Sequence, residues 1–277
     1  MFIETRRIHC TVYPLILCII LGCFVIQAQA QTPTAEHNKV HGYLHKDQYP
    51  DAFHLLPSPP NQKSAGFAMD ISISQHGLAL HDTPRFSLAT TDANYNFPEA
   101  AHVFACTLGI PISKKNTPHL YELLQRVMLD AKNAAHTAKK HYHRKRPFLE
   151  NTKPICTPEK EQKLAQESSY PSAHAAVGWA WALVLTEVDP AREDTILQRG
   201  KAFGENRIVC NVHWYSDIVA GRMVGSAIVA RLHANVDFQN DVHAAKHELS
   251  TISNHGMATQ KGCKQEYDAL TNNLILQ

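Results

Sequence analysis

Beyond its first thirty residues the chain has no run of 18 uninterrupted apolar residues, the length from which a membrane-spanning helix is read. The two best candidates are broken by His174 and Glu187, and by Asp217, Arg222 and Arg231, so both read as buried core helices of a soluble protein. An excess of one charge is also missing. Lys plus Arg number 27 against 25 Asp plus Glu, which gives no uniform field to attract nucleic acid or an anionic membrane. Any bound anion must therefore meet a local cluster. The chain lacks the strand–helix alternation of a doubly wound sheet, and no internal repeat is visible. It also lacks a Cys-x-x-Cys pair, which argues against a zinc ribbon or a thioredoxin-like site.

What the N-terminus does have is an export pattern. Arg6 and Arg7 precede an apolar run from Val12 to Ile26, and Gln27-Ala28-Gln29-Ala30 supplies the small-x-small exit that a signal peptidase reads. Residues 1–30 read as a signal peptide cleaved after Ala30, which sends the processed chain to the periplasm or outside the cell with no stable membrane insertion. An uncleaved anchor fits less well because the apolar run is short. A lipoprotein-type cleavage at Cys23 also fits less well, because apolar residues continue beyond it. Cleavage leaves four of the seven cysteines, Cys106, Cys156, Cys210 and Cys263. An even number in an oxidising compartment suggests two disulfides, and all three pairings stay open.

Residues 31–42 are polar and read as a flexible lead. From Tyr43 to about Lys63, Pro50, Pro57, Pro59 and Pro60 interrupt Leu and Phe residues, so this stretch is expected as an extended strap over a core. Helical signals follow. Ala65 to about Leu80 is a weak helix, and Pro98 opens a stretch carrying Ala101, Val103, Phe104 and Leu108. Thr117-Pro118 starts a helix that can run through Lys139 and beyond until Pro147 stops it. Ser172 opens the apolar stretch Ala173 to Thr186. Asp189-Pro190 caps the next helix, with Gly200 near its end, and Ile208 to Cys210 reads as a short link. Helical patterns then run from about Val212 to His233 and from Phe238 to about Leu249. The expectation is an all-α fold: a single compact helical domain over 43–249 with a Pro-rich N-terminal strap and a weakly ordered tail at 250–277.

Three segments concentrate cations and histidines among otherwise apolar helices. In Lys139 to Pro147, Lys139 and Arg146 stand seven apart, two helical turns, and can project from one face toward a common point; a solvated basic face is the plain alternative. In Ser169-Tyr170-Pro171-Ser172-Ala173-His174, a helix N-terminus offers unpaired N–H groups to an anion, Ser172 adds a hydroxyl, and His174 can donate a proton. A capping serine beside a half-exposed histidine is the alternative there. In Gly204 to Asp217, His213 and Asp217 stand four apart as neighbours on a helix face, so the carboxylate can hold one imidazole nitrogen and leave the other its lone pair. Arg207 is placed before that helix begins. An ordinary core His–Asp pair competes with this reading. Together, two arginines, a lysine, a serine and a helix N-terminus make a nest suited to a tetrahedral oxyanion.

The order Lys, six residues, Arg-Pro, then Pro-Ser-x-His, then Arg, five residues, His, three residues, Asp resembles the signature of the type 2 phosphatidic-acid phosphatase superfamily. The flanks Tyr-Pro-Asp, Leu-Leu-Pro-x-Pro-Pro, Thr-Pro-His-Leu-Tyr, Gly-Trp-Ala-x-Ala-Leu-Val-Leu and His-Trp-Tyr-Ser-Asp are similar to those of bacterial class A non-specific acid phosphatases. The resemblance spans about Tyr43 to Leu249. It implies a helical, commonly homodimeric phosphatase that takes small phosphate monoesters, releases inorganic phosphate, needs no metal or other cofactor, and works through a phosphohistidine. Carried onto this chain, it makes His213 the nucleophile, Asp217 its orienter and His174 the general acid and base. Lys139, Arg146, Ser172, the Ala173 N–H and Arg207 become the phosphate ligands. Ala173 stands where the family usually has Gly, adding a methyl beside the oxyanion, and Asn206 stands where it usually has Ser, one layer behind the pocket. Vanadium-dependent halide oxidation or lipid-phosphate hydrolysis could use the same signature. The 18 histidines, including His141-x-His143 and His243-x-x-x-His247, also raise a metal-binding protein as an alternative of another class.

Overall fold

A computed structural model describes residues 40–252 and 262–272. The expected signal peptide and nearly all of the 31–42 lead lie outside them. Every regular element of the described residues is helical, with no strand among them. In order run α1 (Ala52–Leu55), α2 (Ala65–Leu78), α3 (Pro84–Thr91), α4 (Ala105–Leu108), α5 (Pro118–Lys139), α6 (Pro147–Asn151) and α7 (Glu161–Ala165). Then follow α8 (Ala173–Val188), α9 (Glu193–Val209), α10 (Tyr215–Leu232), α11 (Val236–Thr251) and α12 (Cys263–Asn272). No described helix is long and apolar enough to cross a membrane.

The most apolar helix, α8, sits at the centre and packs chiefly against α9, α10 and α5. Its Ala175, Ala176, Val177, Ala180, Trp181, Val184 and Leu185 are all buried, as expected for a helix apolar on every side. Trp181 satisfies its one polar atom by donating Nε1–H to the Leu124 carbonyl of α5 at 2.8 Å. Close approach of α10 to α8 depends on two glycines one turn apart. A Cβ at Gly221 would run into the Ser172 carbonyl oxygen, and one at Gly225 would lie 2.6 Å from the Ala176 carbonyl. These glycines therefore seat the N-terminus of α8, where Ser172 and His174 lie, directly on α10.

Several boundaries differ from the sequence reading. The 43–63 strap is only partly extended, with a short 3₁₀ turn at Lys46–Gln48 and then α1. It is anchored at its start, where Asp130 of α5 accepts the N–H groups of Tyr43 and Leu44 at 2.7 and 3.3 Å. The Pro98 stretch is a 3₁₀ segment, Glu99–Phe104, leading into one turn of α-helix capped by left-handed Gly109. Helix α9 starts after a 3₁₀ turn and continues to Val209, so Gly200 is mid-helix and Ile208 belongs to the helix rather than to a link. Within the tail, the described residues 262–272 include a helix, α12. α12 is tied to the domain by the disulfide Cys106–Cys263, and its Glu266 pairs with Arg199 of α9 at 3.2 Å. The second disulfide, Cys156–Cys210, closes beside the end of α9.

Candidate active site

Helix α5 ends at Lys139 rather than running on to Pro147, which corrects the two-turn face expected for Lys139 and Arg146. Residues 142–146 are irregular, and Arg146, at φ −81° and ψ 154°, is extended as a residue before proline should be. Burial here alternates with period two. Tyr142, Arg144 and Arg146 face inward, while His141, His143 and Lys145 are exposed. Lys139 Nζ donates to the carbonyls of Ser168 (2.6 Å) and Ser169 (3.3 Å). Arg146 donates to the carbonyls of Leu164 and Val212, both at 2.9 Å, and its Nη1 reaches His213 Nε2 at 3.3 Å.

The second motif lies at a helix N-terminus, the position its sequence suggests. Ser172 is the N-cap of α8, its Oγ accepting the Ala175 N–H at 3.3 Å, so Ala173 and His174 occupy the first turn, where backbone N–H groups have no acceptor within the helix. The Ser172 N–H donates to the Asp217 carbonyl at 3.0 Å, joining the second motif to the third. His174 is half-buried. Its Nε2 bonds the Ala93 carbonyl at 3.1 Å, and the ring of Tyr95 meets it edge-on at 4.1 Å.

In the third motif, α9 ends in a Schellman turn. The Val212 N–H returns to the Arg207 carbonyl (3.1 Å) and the Asn211 N–H to that of Ile208 (2.8 Å), with Asn211 left-handed at φ 59°. Arg207 therefore closes one helix, and His213 lies beyond the turn. Helix α10 begins only at Tyr215, so His213 and Asp217 do not share a helix face as expected. Asp217 stands in the first turn and folds back, its Oδ2 accepting the Trp214 N–H at 2.9 Å and lying 3.1 Å from His213 Nδ1. The tautomer follows from the partners. Arginine can only donate, so His213 Nε2 is an acceptor facing Arg146, and Nδ1 carries the hydrogen given to Asp217.

Electrostatically the site is a buried excess of positive charge. Among the described residues, Lys139 and Arg207 make no ion pair, and Arg146 only approaches Glu167 at 3.9 Å. Arg207 Nε is buried and finds no acceptor among the described residues. Burial, with Arg146 close by, pushes the Arg207 guanidinium down to about 10 and the Lys139 ammonium down to about 7. Burial also depresses both imidazoles well below the ordinary histidine range. Repulsion from Arg207 adds to this at His174, and repulsion from Arg146, Lys139 and Arg207 adds to it at His213.

Sequence reasoning missed the groups behind this pocket. Asn206 does lie one layer back, but as part of a buried network. It donates to Asp92 at 2.7 Å and accepts from Arg85 Nε at 2.6 Å, while Arg199 clamps Asp92 with two bonds of 2.8 Å. Arg144 bonds Asp217 at 2.7 Å and Asp70 at 2.6 Å. Asp70, Arg85, Asp92 and Tyr95 come from α2, α3 and the loop after it, far from the motifs in sequence. Only the alternation around Arg144 carried a local signal. Among the described residues, no three His, Cys, Asp or Glu side chains converge as a metal site.

The described geometry can be set beside known proteins. The family model of the PAP2 superfamily matches residues 124–241, which include all three motifs. A non-specific acid phosphatase of Providencia stuartii is 39% identical over 211 residues, covering 76% of this chain and 85% of that protein. An acid phosphatase of Zymomonas mobilis is 37% identical over 199 residues, 72% of this chain and 75% of its own. A non-specific acid phosphatase of Salmonella typhimurium is 36% identical over 200 residues, with coverage of 72% and 80%. With this identity over most of its length and all three motifs present in order, the chain belongs to the PAP2 superfamily and, within it, to the non-specific acid phosphatases.

Proposed function

We propose that this chain is an exported acid phosphatase that hydrolyses phosphate monoesters of broad structure through a phosphohistidine on His213. The observation that carries the reading is the cluster of Lys139 and the buried Arg146 and Arg207 around an imidazole whose Nε2 is an acceptor, where among the described residues the sole carboxylate pairing is Arg146 with Glu167 at 3.9 Å. A dianionic phosphoryl group supplies the missing charge, and arginine forks suit its oxygens.

In this reading Lys139, Arg146, Arg207, Ser172 and the Ala173 N–H hold the non-bridging oxygens. The His213 Nε2 lone pair forms a bond to phosphorus as the ester P–O bond breaks, while Asp217 holds Nδ1–H and balances the charge on the ring. Protonated His174 gives its proton to the departing alkoxide. The neutral His174 then takes a proton from water, whose oxygen attacks phosphorus. The P–N bond breaks, inorganic phosphate leaves, and both imidazoles return to their starting states. The approaching dianion favours protonation of His174, working against the burial and the repulsion from Arg207 and Arg146 that depress it. Export through the 1–30 signal, cleavage after Ala30 and assembly as a homodimer belong to the same proposal and rest on the sequence and the resemblance.

The test is a rapid acid quench of enzyme turning over a labelled monoester. An acid-labile, base-stable phosphoryl group mapping to His213, and lost in His213→Ala, is the expected result. Turnover without such an adduct, or an adduct that survives in His213→Ala, overturns the nucleophile.

A further inference from the structure

Asp217 is fully buried, and His213 is only one of the partners of its carboxylate. While Oδ2 faces His213 Nδ1 and the Trp214 N–H, Oδ1 accepts Arg144 Nη1 at 2.7 Å. The other arm of the same guanidinium, Nη2, reaches Asp70 of α2 at 2.6 Å. Asp70 in turn accepts the Ser216 N–H (2.8 Å) and the Ser216 hydroxyl (2.6 Å) from the first turn of α10. The side chains of Arg144 and Asp70 are 8% and 1% exposed, so water does little to screen the chain of charges. Charges therefore alternate along Asp217, Arg144 and Asp70, a line that runs from the neutral His213 into the protein.

We propose that Arg144 and Asp70 are positioning residues for the His213–Asp217 dyad, fixing the rotation of the Asp217 carboxylate and its charge from the side opposite the substrate. The inference rests on the phosphohistidine reading and deepens it. Arg144 fills one Asp217 oxygen with a directed donor, which leaves the other for His213. It also supplies the cation that keeps a carboxylate in so dry a place ionised. Burial pushes Asp217 upward, and Arg144 is the foremost of the groups pulling it back. Asp70 holds Arg144 in place and tempers its charge.

The charged and titratable groups acting on the dyad are Lys139 at the end of α5, Arg144 and Arg146 in the segment after it, His174 on α8 and Arg207 on α9, with Asp70 on α2 behind Arg144. Removing the Arg144 cation lets the dyad bind a proton more readily, whether on Asp217 or on His213. Removing the Asp70 charge leaves Arg144 less tempered and has the opposite effect.

The experiment is kcat and KM against pH for p-nitrophenyl phosphate with wild type, Arg144→Met, Arg144→Lys and Asp70→Asn, with acid-quench trapping on each. Substrate ionisation is common to all four and cancels. Arg144→Met is expected to lose about 10–100-fold in kcat with KM little changed. Its acidic limb of kcat/KM should move up by roughly half a pH unit or more. Arg144→Lys should recover part of both effects, and the Asp70→Asn limb should move down. Lower activity with unmoved limbs, or limbs moving the same way in Arg144→Met and Asp70→Asn, overturns the inference. If Arg144→Met does not fold, the opposed shifts of Arg144→Lys and Asp70→Asn decide it by the same criterion. A wild type that turns over without an adduct removes the phosphohistidine reading itself. An adduct with unmoved limbs removes only the role of Arg144 and Asp70.

Discussion

The Ala93 carbonyl oxygen lies 3.1 Å from His174 Nε2, and that contact assigns the two nitrogens of the ring. A carbonyl only accepts, so Nε2 keeps its hydrogen and Nδ1 is left for proton transfer. His174→Ala should therefore lose more turnover on alkyl phosphates, whose alkoxides need a proton, than on p-nitrophenyl phosphate, whose leaving group does not. Phosphoenzyme should accumulate, because the second step loses its base. Pre-steady-state bursts on both substrates check this, and equal losses without accumulation would contradict it.

The pH dependence follows from opposite requirements on two depressed imidazoles. In the proposed mechanism His213 must be neutral to attack, so activity is expected to fall as pH drops through its folded value, which burial and the surrounding cations hold well below 6.5. His174 must be protonated in the complex, so activity falls as pH rises through the value that bound phosphate restores. The maximum is expected on the acidic side of neutrality, with the two groups titrating as a coupled pair. A kcat profile that climbs steadily to pH 9 would sink this assignment.

Lys139 gives a separable signature. Burial and nearby Arg146 push its ammonium down to about 7, so in the proposed function deprotonation above that pH removes one phosphate ligand. Competitive inhibition by inorganic phosphate should weaken between pH 7 and 8.5 in the wild type and be weaker throughout in Lys139→Met. It should also lose part of its pH dependence in that variant. Inhibition constants measured across this range test it.

Gly221→Ala probes how the fold seats the site. The added methyl would meet the Ser172 carbonyl and the Ala175 side chain, pushing the start of α8 away from α10. Overpacking of this kind costs about 1–3 kcal/mol. The loss in kcat/KM is expected to exceed what that destabilisation explains at 25 °C, because Ser172 and His174 ride on the displaced turn. Thermal melts and kinetics on the same preparation separate the two effects.

What could be read from the sequence was what local chemistry dictates. The Thr117-Pro118 start of α5, the Ser172 cap and the apolar character of α8 each follow from a few adjacent residues, and the structure places all three as expected. The three motifs were equally plain, and contacts join them in the structure: Arg146 meets His213, and the Ser172 N–H meets the Asp217 carbonyl. The spacing between Lys139 and Arg146 was misread as helical because the alanine-rich run before it is a good helix former, while the chain leaves the helix at Lys139. The two-residue alternation from Tyr142 to Arg146 was the available clue. Asp70, Asp92 and Tyr95 could not be found this way, since each meets its partner across dozens of residues of chain. No local pattern marks an aspartate that will later hold an arginine 74 positions away.

The stapled C-terminal helix has a practical consequence. Glu266 holds Arg199, Arg199 clamps Asp92, and the next residue, Ala93, grips His174. Helix α12 is thus linked through Arg199 and Asp92 to the backbone carbonyl that meets His174, the general acid of the proposed function. A tag or tether that strains α12 is expected to lower turnover, and so is a reducing buffer that opens Cys106–Cys263.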